Sequence, residues 1–181
     1  MFASGKDGSK GAGHALLRLA DRAGVRLEVP DEIGSLCCGT PWKSKGTLSG
    51  EHHMDERLFC VLGAATRNWQ LPIICDNVSC TEGIEIALRH QGVENATVLD
   101  ATTFAAQRIA PLLPELPREK LAVVHPTCSS TRMGTNEALI MLAGLVADQV
   151  IVPDGWRCCA FAGDRGLLHE ELTATAGHPS R

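Results

Sequence analysis

The sequence predicts an α/β protein made of two pseudo-repeated lobes, each with a mostly parallel sheet covered by helices. Three observations carry that expectation. Stretches with helical and with strand periodicity alternate along the chain. An adjacent cysteine pair occurs twice, Cys37-Cys38 and Cys158-Cys159, each time after a Val-Pro-Asp punctuation at 29 to 31 and 152 to 154. Between the two copies, Pro111, Pro114 and Pro117 interrupt regular structure. The chain accordingly divides into a first repeat over 1–113 and a second over 118–181, with a Pro-rich junction over 111–119.

Taken in order, residues 9 to 23 place Ala12, Leu16, Leu17, Leu19, Ala20 and Ala23 at helical spacing before Gly24 stops the pattern. Residues 25 to 29 alternate as a strand does, and Pro30 and Asp31 turn the chain into the first cysteine loop, 37 to 46. Residues 50 to 68 read as a helix, with Cys60 on it expected in the core. The apolar run 72 to 75 reads as a buried strand ending at Cys75, followed by a loop over 76 to 83 that carries Cys80. A helix over 82 to 91, a strand over 96 to 99 and a helix over 101 to 113 complete the first repeat. The second restarts with a strand over 121 to 124, a loop over 125 to 130 holding His125 and Cys128, a helix from 134 to 147, a strand over 150 to 152 and the second cysteine loop, 157 to 166.

Composition excludes several classes. Seventeen Lys and Arg against twenty-one Asp and Glu give a net charge of −4 with no basic run, which leaves nucleic-acid binding without electrostatic support. Apolar runs such as 138 to 147 fall well short of the roughly 20 residues that cross a bilayer, so no transmembrane segment is expected. The first residues show no apolar h-region, which points to a cytoplasmic protein, with any membrane association made through partners.

Eight cysteines in a chain read as cytoplasmic favour metal ligation over disulfides. Adjacent side chains diverge on a helix and oppose each other on a strand, so a Cys-Cys pair serves one centre only where the backbone bends. Gly39 and Pro41 next to the first pair supply that bend. Ligands in open α/β sheets sit beyond the carboxyl ends of strands, which would gather the cysteine loops along one edge. Soft thiolates select iron-sulfur clusters or zinc, and the tandem pairs differ from the usual Cys-x2-4-Cys knuckles of zinc fingers. The candidate metal ligands are Cys37, Cys38, Cys80, Cys128, Cys158 and Cys159, with Cys75 also a candidate as a thiol at the end of a buried strand. Gly39, Lys45 and Arg165 would border the centre, the two cations offsetting the negative charge of thiolates. For the pairs the competing use is small apolar filler, and for the cations a solvated loop.

The segments Cys37-Cys38-Gly39-Thr40-Pro41-Trp42-Lys43-Ser44-Lys45-Gly46, His125-Pro126-Thr127-Cys128-Ser129-Ser130 and Cys158-Cys159-Ala160-Phe161-Ala162-Gly163-Asp164-Arg165-Gly166-Leu167-Leu168-His169 resemble the duplicated cysteine-rich CCG domain. That domain occurs in the cysteine-rich subunits of heterodisulfide reductase and of anaerobic glycerol-3-phosphate dehydrogenase. It also occurs at the C-terminus of FAD-linked, D-lactate-dehydrogenase-like oxidoreductases, which the chain resembles most. The resemblance spans nearly the whole chain. It implies a 4Fe-4S cluster held by the cysteine loops. It also implies an electron-transfer module that connects a flavin dehydrogenase domain or subunit with a quinone, cytochrome or disulfide acceptor. Hydride removal from a 2-hydroxy acid would then occur on FAD in a part this chain lacks, so no catalytic acid or base is assigned. Against the family pattern, the first repeat has no leading cysteine, the second no trailing ones, and Ala160 stands where Gly is usual. On the resemblance, the chain is expected to be an internal piece of a larger flavoprotein. A zinc-binding domain that docks subunits, and a metal-free remnant, are the alternative readings.

Overall fold

The structure, a computed structural model, describes residues 11–156, 158–160 and 165–177. It is a mixed helix and strand fold whose strands pair in parallel. In chain order the helices are α1 (Ala12–Arg22), α2 (Thr40–Ser44), α3 (Leu48–Ala65), α4 (Val78–His90), α5 (Ala101–Phe104), α6 (Cys128–Arg132), α7 (Asn136–Val146), α8 (Arg165–Leu168) and α9 (Glu170–Gly177). The strands are β1 (Ile73–Cys75), β2 (Val98–Asp100), β3 (Glu119–Val123) and β4 (Ala147–Ile151).

β1 and β2 pair with Ile73 opposite Val98, Ile74 opposite Leu99 and Cys75 opposite Asp100. Side chains alternate across a strand, so these pairs divide between two faces. Ile73 and Val98 join Leu58 and Leu62 of α3 and Ala87 and Leu88 of α4 on one side. Ile74 and Leu99 join Ala20 of α1 and Phe104 and Ile109 on the other. The small sheet is thus covered on both faces, as parallel strands require. The connection from β1 through α4 to β2 is the strand-helix-strand unit of that architecture.

β3 and β4 form a second, separate two-stranded parallel sheet, with Leu121 opposite Gln149 and Val123 opposite Ile151. Its cover is thinner: Leu121, Val123 and Ile151 are exposed, whereas Val124 and Ala147 are buried. Arg118 holds its entry. The guanidinium donates to the carbonyls of Gly144 and Leu145 at 3.0 and 3.3 Å and to that of Ala147, and it pairs with Asp148 at 2.8 Å. The last carbonyls of α7, which no helical N–H reaches, are satisfied in this way.

Several expectations are corrected. The predicted strand at 25 to 29 is irregular chain, because among the described residues no strand pairs with it; Val25 and Leu27 instead pack on the α1 side of the core. Among the described residues the strands make two sheets rather than a single edge that collects every cysteine loop. The helix expected over 101 to 113 breaks into α5, a π-helical segment Ala105–Ile109 and a 3-10 turn Ala110–Leu112. Cys60 is exposed, since α3 turns Glu51, Asp55, Leu58 and Leu62 inward and carries Cys60 on the outer side. Cys80 and Cys128 are not in loops: each lies in the first turn of a helix, α4 and α6 respectively.

The three carbonyl contacts of Arg118 exceed its ion pair in consequence, because Asp148 is largely solvated. Arg118→Ala is expected to lower unfolding free energy by about 1–2 kcal/mol in urea titration, and Asp148→Asn by less than about 1 kcal/mol. Equal losses would show that the ion pair is the principal tie.

Candidate metal centre

Described cysteines other than Cys60 fall into two groups, each assembled from a Cys-Cys loop and the start of a helix. In the first, Cys37 and Cys38 follow a 3-10 turn, Asp31–Ser35, and precede α2. Gly39 takes a left-handed backbone, φ 79°, which bends the chain between the pair and α2. A β-carbon there would lie 3.6 Å from Oδ1 of Asp55, a buried carboxylate on α3 whose other oxygen meets Nδ1 of His90 at 2.8 Å.

The loop is held against α4 at Gly83. A β-carbon on that glycine would stand 2.5 Å from the Cys38 carbonyl oxygen and 2.7 Å from Oγ1 of Thr40. Gly83 lies one turn beyond Cys80, so the contact that seats the loop also brings Cys38 to Cys80. Asn77 caps α4, its side chain accepting from the Ser79 N–H at 2.9 Å, and so fixes the turn from β1 into the helix. Cys75, at the end of β1, donates to the Asn77 carbonyl at 3.4 Å.

The thiols here polarise one another. Hydrogen bonding from Cys80 holds Cys38 down at about 5, helped by Thr40 against the opposing effect of burial. The Cys80 bond likewise lowers Cys75 to about 7. Cys80 is pushed far up by the same two bonds, first to Cys38 and then to Cys75, so it retains the proton that it donates. Burial raises Cys37, partly opposed by a backbone bond from Gly39.

The second group is Cys128, Cys158 and Cys159, all exposed. Cys128 opens α6 behind a capping box in which the Thr127 side chain accepts from the Ser130 N–H and Ser130 answers the Thr127 N–H. The edge-to-face contact of His125 and Trp156, ring centres 5.9 Å apart, draws the segment after β3 toward the segment after β4. A Cys128–Cys158 hydrogen bond raises the first thiol and lowers the second. The Ala160 N–H donates to Cys158 Sγ at 3.4 Å, as the Gly39 backbone does to Cys37. Ala160 also shares the left-handed conformation of Gly39, with φ 55°. The two loops therefore use one backbone device, strained in the second copy by a β-carbon.

Lys45 caps the end of α2 and Arg165 opens α8, both exposed. Residues 161–164 of the second motif lie outside the described residues. Among the described residues, no three His, Cys, Asp or Glu side chains converge as a single bound ion demands. Sequence reasoning missed Thr40, Asp55, His90 and Gly83. Only Gly83 carried a signal, because a glycine inside a helix pattern costs about 1 kcal/mol and usually has a packing reason. No family model matches the chain, and no curated protein or solved structure matches it.

Ala160→Gly is expected to raise stability by about 0.5–1 kcal/mol, the relief of left-handed strain less the added freedom of the unfolded chain, whereas Gly39→Ala lowers it by about 1 kcal/mol. Chemical denaturation of both variants checks the pair, and a destabilised Ala160→Gly would contradict it. Thiol ionisation gives a second check on the metal-free chain. A thiol near 9 loses about five-hundredfold in thiolate between pH 9 and pH 6, whereas Cys38, lowered to about 5, remains ionised across that range. Iodoacetamide labelling of Cys38, read by mass spectrometry, should fall less than about tenfold over those pH units in the folded chain. It should show the full loss in denaturant.

Proposed function

We propose that the chain is the iron-sulfur electron-transfer module of an FAD-linked 2-hydroxyacid dehydrogenase of the D-lactate type. The observation that carries this reading is the repeated device at the two thiol groups: a Cys-Cys loop bent by a left-handed residue, a backbone N–H on the first sulfur, and a partner cysteine in the first turn of a helix. The motif resemblance supports the same assignment and alone supplies the substrate class. The donor chemistry fits a 4Fe-4S cluster, since soft thiolates are its ligands and N–H bonds to sulfur tune it. Such a cluster supplies one-electron capacity when bound. Cys37, Cys38, Cys75 and Cys80 are the ligands of the first group, and Cys128, Cys158 and Cys159 those of the second.

On this reading the two groups belong to two pseudo-repeated lobes, 1–113 and 118–181. Lys45 and Arg165 sit after the two pairs, where a cation offsets the charge of the ligated thiolates. The flavin, the hydride chemistry and the quinone, cytochrome or disulfide acceptor belong to a partner domain or subunit. Among the described residues, no helix is long and apolar enough to cross a membrane.

A structural zinc site is favoured by one observation of its own. The Cys80 thiol hydrogen-bonds to both Cys38 and Cys75, which gathers three thiols of the kind zinc takes as ligands without placing them around one ion. Anaerobic purification with iron, sulfide and zinc analysis and EPR separates the two. Iron and sulfide in equal amounts with a cluster EPR signal after reduction or oxidation are expected, abolished by Cys38→Ser with Cys159→Ser. Zinc without sulfide would replace the electron-transfer reading by subunit docking, and a chain free of metal would mark a remnant.

A further inference from the structure

The two thiol groups do not stand independently, because α4 and α6 touch through residues of like position. Ser79, the second residue of α4, shares a hydrogen bond with Ser129, the second residue of α6, at 3.1 Å between the hydroxyl oxygens. Glu82, the fifth residue of α4, pairs with Arg132, the fifth of α6. Each pair is separated by 50 positions in sequence, so the first turns lie alongside each other in register, with both N-termini at one end. Cys80 directly follows Ser79, and Cys128 directly precedes Ser129. A ligand from each thiol group is therefore one peptide unit away from the shared hydroxyl bond.

We propose that this contact couples the two groups, so that metal loading at one strengthens loading at the other. The inference rests on the reading of the thiol groups as metal sites. Loading the first group fixes Cys80 and with it the first turn of α4. Ser79 and Glu82 then hold Ser129 and Arg132, and order the start of α6 that carries Cys128. α6 has five residues, too few to be helical unaided, and its thiol group is exposed, so ordering is the chief cost of filling it. A metal arriving second finds that cost already met. Linkage makes the effect reciprocal.

The hydroxyls can be removed cleanly. Neither is a helix cap, since Asn77 and the Thr127–Ser130 box perform that task. Cobalt(II) is the probe, added to the reduced, metal-free full chain and followed by its thiolate absorption, with protection of Cys158 from alkylation as the site-resolved readout. In the unaltered chain Cys158 is expected to be protected at a free cobalt concentration at least about fivefold lower than in a chain with Cys38→Ser and Cys80→Ser. With Ser79→Ala and Ser129→Ala, the same protection should require the higher concentration even though the first group is intact. Unchanged protection in the double-alanine chain would overturn the coupling, and this arm stands even where the double-serine chain loses its helical circular dichroism. Absence of any cobalt-thiolate absorption in the unaltered chain would overturn the metal-site reading itself and the coupling with it.

Discussion

At Gly83 the Cys37-Cys38 loop and α4 meet backbone to backbone, with 2.5 Å between the Cys38 carbonyl oxygen and the place a β-carbon would occupy. That approach fixes the first thiol group, because Cys80 shares the helical face that Gly83 opens. The helix is in turn held by Leu88 and Ala87 against α3 and the β1–β2 sheet, so the loop rests on the best-packed part of the chain. A single missing methyl group thus connects the core to the chemistry. Behind the loop, the buried Asp55 answers to His90, and Gly39 keeps the backbone close to that carboxylate without a side chain between them.

Much of the first sheet was legible in the sequence. The run Ile73–Cys75 is short, apolar and followed by an Asx cap, and β1, Asn77 and α4 follow one another as that pattern requires. What escaped was whatever depends on partners distant in sequence. Residues 25 to 29 have a strand's alternation, yet a strand exists only with a neighbour, and here the side chains find the α1 face of the core instead. Cys80 and Cys128 read as loop residues because each follows an expected strand; Asn77 and Thr127, as caps, start helices one position later. Cys60 illustrates the limit of periodicity, since the side of α3 that is buried is the one carrying Leu58 and Leu62, which pack with Ile73 of β1 and Ala87 and Leu88 of α4, together with Glu51 and Asp55.

The two thiol groups differ in environment although they share a backbone device. The first is half-buried, and a proton is held among Cys38, Cys75 and Cys80. The second is exposed, and its bend carries the strain of Ala160. Exposure leaves the second group open to solvent and to partners, whereas the first is shielded by α3 and α4. A site assembled from the same parts therefore has two characters, set by burial rather than by ligand type.

The uneven cover of the two sheets has a consequence for how the chain comes apart. β1 and β2 are sandwiched between two hydrophobic clusters, while β3 and β4 expose Leu121, Val123 and Ile151 and depend on the Arg118 tie. Local opening free energies follow buried contacts, so the C-terminal sheet is the first unit to open and the N-terminal one the last. The exposed thiols thus sit on the weaker unit, where a bound metal would act as a staple in a part of the fold that side-chain packing alone leaves loose.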